Sequence, residues 1–199
     1  MKNLDIGENI GLGFNKAINN AWFFVAFFIF IFFATIAFVN SFGISSFSDT
    51  AFFIIAIIFY YIIFIGIYKI SLGLLKNKKV DLKKTDDLPL VLNKFILALT
   101  MYFAIVFIGL IFFIVPGIIA IIKYQFVPFI ILDEKDIGIR QAFRKSNSLA
   151  SGVQWNLLWF LIISDLFNLA GFMFFGMGLI ITIPSMIVAK AGIYKELSK

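Results

Sequence analysis

All seventeen Lys and Arg residues of this 199-residue chain fall in four clusters, and the long apolar stretches between the clusters carry almost none. The clusters are Lys2 with Lys16, Lys69 to Lys94, Lys123 to Lys145, and Lys190 to Lys199. A helix rising about 1.5 Å per residue needs about 20 apolar residues to cross a hydrocarbon core of about 30 Å. Between neighbouring clusters the chain has room to cross, turn and cross back. Lys and Arg accumulate in cytoplasmic loops because that bias sets orientation during insertion. The pattern predicts an all-α polytopic membrane bundle of about six transmembrane helices in three hairpins, with both termini cytoplasmic.

Composition narrows the chemistry further. With 62% apolar residues, 28 Phe and a mean hydropathy of +1.03, the chain lies far from globular usage, where apolar content is nearer half. It has no Cys, so no disulfide or thiolate chemistry, and no His, the commonest metal ligand and general base. The net charge of +6 sits on membrane-flanking residues and points to anionic headgroups on the cytoplasmic face. No Arg-rich stripe with interleaved aromatics suggests nucleic acid. About twenty polar and mixed residues precede the first apolar run, which does not read as a cleavable signal peptide.

Residues 1–199 read as a single integral membrane domain of the cell membrane, with spans at about 21–39, 51–75, 95–115, 117–132, 154–173 and 177–192. Trp22 marks an inner boundary, where an indole is favoured. Residues 40–50 hold no basic residue and belong outside, and the Lys-rich stretch 76–94 inside. A single helix over 95–132 would be about 57 Å long, and Pro breaks helices by removing a donor and clashing with the preceding turn. A hairpin turn at Pro116 and Gly117 is therefore expected, which keeps Lys135, Arg140, Arg144 and Lys145 inside. Gly171 to Gly178 supplies an outer turn, and Pro184 interrupts the sixth span. Two amphipathic interfacial helices are expected, at about 6–19 and 136–151, the second with Asp136 as N-cap. On the second, Ile139, Ala142, Phe143, Ser146 and Ala150 share one face, and Arg140, Gln141, Arg144 and Ser148 share another.

Intramembrane ionisable groups are functional candidates because they are expensive to bury. Asp165 lies about 15 Å inside the fifth span and Lys123 about 13 Å inside the fourth. A Lys123–Asp165 pair would spare each a lone buried charge. Such a pair could serve an ion or proton step, or simply lock two spans together. Asn168, Ser164, Asn156 and Gln125 extend the polar stripe, although such side chains also serve as interhelix hydrogen bonds. Arg140, Arg144 and Lys145 are candidate contacts for lipid headgroups. Asp133, Glu134 and Asp136 could offer oxygens to a hard cation, but Lys135 among them and the absence of loop spacing favour a solvated turn. Ser146 and Ser148 have no His partner for nucleophilic chemistry. No catalytic, cofactor-binding or metal-binding residue is assigned, and no cofactor.

One block of residues also resembles a known group. Ile108-Gly109-Leu110 runs into Val115-Pro116-Gly117-Ile118-Ile119, followed by Phe126-Val127-Pro128, Ile131-Leu132-Asp133-Glu134, Ala142-Phe143-Arg144-Lys145-Ser146 and Gly152, then a tryptophan-led span. This order is similar to that of uncharacterised six-span bacterial and archaeal integral membrane proteins related to the membrane domain of glycerophosphoryl diester phosphodiesterases. The resemblance is firmest over about residues 95–165. It implies architecture, because in the enzymes with this domain catalysis belongs to a separate soluble barrel with metal-binding acids and histidines. The expected function is a non-enzymatic membrane module acting through lipid or protein partners, membrane-bound or soluble. The alternative is a small transporter or permeation factor with Lys123 and Asp165 at its polar centre.

Overall fold

A computed structural model describes residues 4–20, 25, 65–75, 88–134, 136–173 and 178–199. The expected span 21–39 with Trp22, the turn 40–50, most of the span 51–75 and most of the loop 76–94 lie outside the described residues. So do Lys135 and residues 174–177. Within the described residues the regular structure is helical throughout.

The first helix, α1 (Ile6–Asn19), begins where the Asp5 side chain accepts the Glu8 N–H at 2.9 Å. Glu8 in its first turn and Lys16 in its last both complement the helix dipole. Its bounds match the expected amphipathic helix, but its placement differs. Asn9, Gly13 and Ala17 form one buried stripe, and that stripe lies along α8 (Leu179–Leu197). Asn9 Nδ2 donates to Glu196 at 2.9 Å, whereas a Cβ on Gly13 would strike Ser185 and Ala189. Residue numbers rise on one helix as they fall on the other, so the two run antiparallel. The helix read as an amphipathic lead-in thus packs along another helix. Small residues on both faces let the backbones approach, as in membrane helix pairs generally.

Helices α2 (Ile65–Leu75) and α3 (Leu88–Phe112) follow. The third already includes residues 88–94, ahead of the expected 95. It ends at Phe113, whose extended backbone (φ −158°, ψ 133°) starts α4 (Ile114–Tyr124). The reversal is therefore at Phe113, not at Pro116 and Gly117, which lie in the first turns of α4. Gly117 still matters there. A Cβ on Gly109 would lie 3.0 Å from the Gly117 Cα, and one on Gly117 would lie 2.9 Å from the Leu110 nitrogen. Only glycines let the chain fold back this tightly.

The expected fourth span, 117–132, is two helices. Pro128 cannot donate to the carbonyl four residues earlier, and the helix breaks at Gln125 and Phe126 before α5 (Val127–Asp133). A serine from α6 (Ile139–Ala150) closes the break. Ser146 Oγ donates to the Lys123 carbonyl at 2.7 Å and accepts the Phe126 N–H at 3.3 Å. Helix α6 is capped at Gly138 rather than at Asp136, two residues later than expected, and the Gln141 side chain accepts the Gly138 N–H at 3.3 Å. Gly152 (φ +86°) then turns the chain into α7 (Gln154–Met173), at the expected bounds. Pro184 sits inside a continuous α8 rather than interrupting it. The neighbouring Ser185 hydroxyl donates to the Ile181 carbonyl at 2.6 Å, reinforcing the turn that the proline weakens.

Among the described residues, three helical stretches are long and apolar enough to cross a membrane: Val91–Phe112, Ile114–Asp133 and Gln154–Met173. Only 17% of the first and 22% of the third are buried, against 56% of the second, which is therefore the most central of the three. The expected sixth span is helical as part of α8, but Lys190, Lys195 and Glu196 keep it out of this set. A core of Phe95, Phe126, Phe129, Leu157, Phe160, Ile193 and Tyr194 is fully enclosed, while Phe107, Phe112, Phe113 and Met173 stand on the outside. An apolar exterior of that extent suits lipid and not water.

Candidate functional site

The acidic pair that ends α5 is held by two other helices. Glu134 forms an ion pair with Lys145 of α6. Asp133 accepts the Tyr194 hydroxyl of α8 at 3.3 Å, and that ring stacks on Phe129 at 5.9 Å. Burial first, then the charges of Asp133 and Glu134, push the Tyr194 phenol up and hold it neutral. These carboxylates therefore pin one end of the bundle together. Lys145, a candidate headgroup contact, is thus half of an ion pair within the protein.

Arg140 and Arg144 are exposed, together with Gln141 and Ser148. The opposite face of α6, formed by Ala142, Ser146 and Ala150, is completely buried against α4 and α5. The two expected faces are thus present, but the apolar one rests on protein and not on lipid. Small residues allow α6 to sit close enough for Ser146 to reach the break between α4 and α5. Directly after the Gly152 turn, Trp155 is 75% exposed and Trp159 58% exposed. Exposed indoles are favoured where a protein meets the headgroup layer.

Lys123 and Asp165 are not brought together: among the described residues no ion pair links them. Lys123 is half-buried, with its carbonyl bound to Ser146 and its neighbour Tyr124 packed edge-on to Phe143 at 5.1 Å. It belongs with the amphipathic helix and does not stand apart in the bundle. Lys190 on α8 feels the charge of Asp165. Asp165 itself is exposed on the flank of α7. The rest of the expected stripe divides. Ser164, Asn168 and Gln125 each keep a buried side-chain oxygen without a hydrogen-bond partner, and Thr182 of α8 joins them. Gln125 does donate to the Ile122 carbonyl at 3.1 Å.

Sequence reasoning missed Ser146 as a clamp, Lys190 as a cation that feels the Asp165 charge, and the cleft between α1, α2 and α8. That cleft, of about 470 Å³, is lined by Glu8, Asn9, Leu75, Lys195, Glu196 and Lys199 among others. A signal existed for Ser146, because Pro128 leaves carbonyls that something must satisfy. None existed for the other two, which depend on helix register. Comparison with protein-family models, with curated proteins and with solved structures finds no match.

Proposed function

We propose that the chain is a multi-pass module of the cytoplasmic membrane, with six spans and both termini inside, that performs no chemistry itself. It acts through anionic lipids and protein partners at its inner face, as the architecture of the six-span families it resembles implies. Arg140 and Arg144 engage the headgroups. The observation that carries this reading is that the exposed arginines of α6 are followed, after the Gly152 turn, by the exposed Trp155 and Trp159 of α7. Indoles settle at the headgroup level, and each basic residue near an anionic surface contributes about 1 kcal/mol of attraction. Because the buried face of α6 is locked on α4 and α5, the arginines form a fixed rather than an induced site.

The test uses the full chain reconstituted in vesicles containing brominated phosphatidylglycerol or brominated phosphatidylcholine at equal mole fraction, with tryptophan fluorescence as the readout. Stronger quenching by the anionic lipid is expected, and the R140Q/R144Q double variant should lose that preference. Equal quenching by both lipids, or a preference that survives the double substitution, overturns the proposal.

A further inference from the structure

The seam between α7 and α8 carries polar atoms that the protein does not pair. Ser164 and Thr182 are 6% and 9% exposed, and both hydroxyl oxygens lack a partner, as does the buried Asn168 side-chain oxygen. Apolar spans do not bury such groups without satisfying them, since lipid offers nothing in exchange. Register explains why protein does not do so here. A Cβ on Gly171 would lie 2.8 Å from the Thr182 hydroxyl, and the Asp165 charge is felt by Lys190, so α7 and α8 run antiparallel. On α7, Asn168 and Ser164 lie one and two turns from Gly171 on the same side, and on α8, Ser185 and Ala189 lie one and two turns from Thr182 on its side. Ala189 has only a methyl group, and the Ser185 hydroxyl is turned back onto Ile181. The α1 residue that meets Ser185 and Ala189 is Gly13, which also has no polar side chain. At one end the seam is closed, because the Gly171 and Gly178 backbones touch too closely for any Cβ. Toward the other end stand Asp165 and Lys190.

We propose that this seam is a hydrated site inside the membrane, where Ser164, Asn168 and Thr182 hold water or a neutral hydrogen-bonding solute of similar size. The ligand set is hydroxyls and an amide. The two flanking charges offset one another, so nothing in the site favours a hard divalent cation, which needs several anionic oxygens. A site of this kind would give a small polar species a foothold midway through the bundle, with the Asp165 and Lys190 pair at its mouth.

The chain has no Cys, so each single-cysteine variant reports one position. The full chain carrying S164C or T182C, both close in size to the native residue, is reconstituted in vesicles and exposed to silver ion. Remaining thiol is then counted with a fluorescent maleimide after dissolution in SDS. L166C and L169C, on the exposed flank of α7, serve as lipid-facing controls. Silver reacts with thiolates, which form only where water reaches, so S164C and T182C should react at least tenfold faster than the controls. Rates no faster than those of the controls overturn the proposal. Radiolytic hydroxyl labelling of the unsubstituted protein reads the same water independently of the substitutions. Met186, buried one turn from Thr182 on α8, should be labelled several-fold more than Met101 on the exposed side of α3, and equal labelling overturns the proposal as well.

Discussion

The heaviest demand on a single side chain falls on Ser146, and S146A tests it. The substitution removes one hydroxyl hydrogen that binds the Lys123 carbonyl at 2.7 Å and one oxygen that accepts the Phe126 N–H at 3.3 Å. The site is fully buried, so water cannot replace the lost partners without entering the contact between α6 and the break. A buried group left unpaired costs about 1–3 kcal/mol in soluble proteins, while hydrogen bonds in one membrane bundle average about 0.6 kcal/mol. Two groups are orphaned, and the 3.3 Å bond is the weaker. A loss of about 1.5–3 kcal/mol follows from these ranges. Reversible unfolding of the purified chain in mixed micelles of mild detergent and SDS, followed by circular dichroism, measures it. S148A, on the exposed face of the same helix, is the control and should stay within about 0.5 kcal/mol. P128A provides a second check, because an alanine there allows α4 and α5 to join and lets the Val127 N–H take over the Lys123 carbonyl. In that background S146A should cost about 1 kcal/mol less, the coupling expected of groups in direct contact. An S146A cost equal to that of S148A, or no coupling to P128A, would refute the clamp.

Four further outcomes follow from packing and charge. G117A places a methyl against Leu110 and should lower stability by about 1–3 kcal/mol, whereas G11A, with nothing within 4 Å, should be neutral or stabilising by about 0.5–1 kcal/mol; the same unfolding assay separates them. G152A must hold an alanine at φ +86° and should cost about 1 kcal/mol, with no change in helix content by circular dichroism. G13L should drive α1 off α8, read as faster protease cleavage within residues 6–19, while N9A should do so more weakly by losing only the bond to Glu196. Because burial and the neighbouring carboxylates raise the Tyr194 phenol, the folded state keeps its proton at pH values where the unfolded state has lost it. That contribution is complete below the ordinary value of 10.0 and shrinks as pH climbs past it. Alkaline unfolding should therefore be shallower in Y194F, although that variant starts from lower stability.

Residues quoted for the family resemblance have structural jobs here. Gly109 and Gly117 permit the reversal, Pro128 breaks the helix, Ser146 closes the break, Asp133 and Glu134 join three helices, and Gly152 turns the chain toward Trp155. A pattern of this sort records how a bundle is assembled, and it is silent on what the bundle handles. The charged residues left over, Arg140, Arg144, Asp165 and Lys190, are where activity has to be sought.

Hydropathy and periodicity along the chain determined a helical membrane protein, the bounds of α1 and α7, and the two faces of α6. Those properties are local: a run of apolar residues must leave water whatever it packs against, and a helix sorts its side chains every 3.6 residues. Tertiary structure decided who meets whom. No ion pair joins Lys123 to Asp165, whose charge Lys190 feels, Lys145 binds Glu134, and α1 lies along α8. Phe113 rather than Pro116 begins the reversal, since a proline fits the first turn of a helix as well as it ends one. Lipid is as apolar as leucine, so burial alone does not choose between partners within a membrane. Close approach of small residues and a few polar contacts make the choice, and both depend on register between segments far apart in the chain.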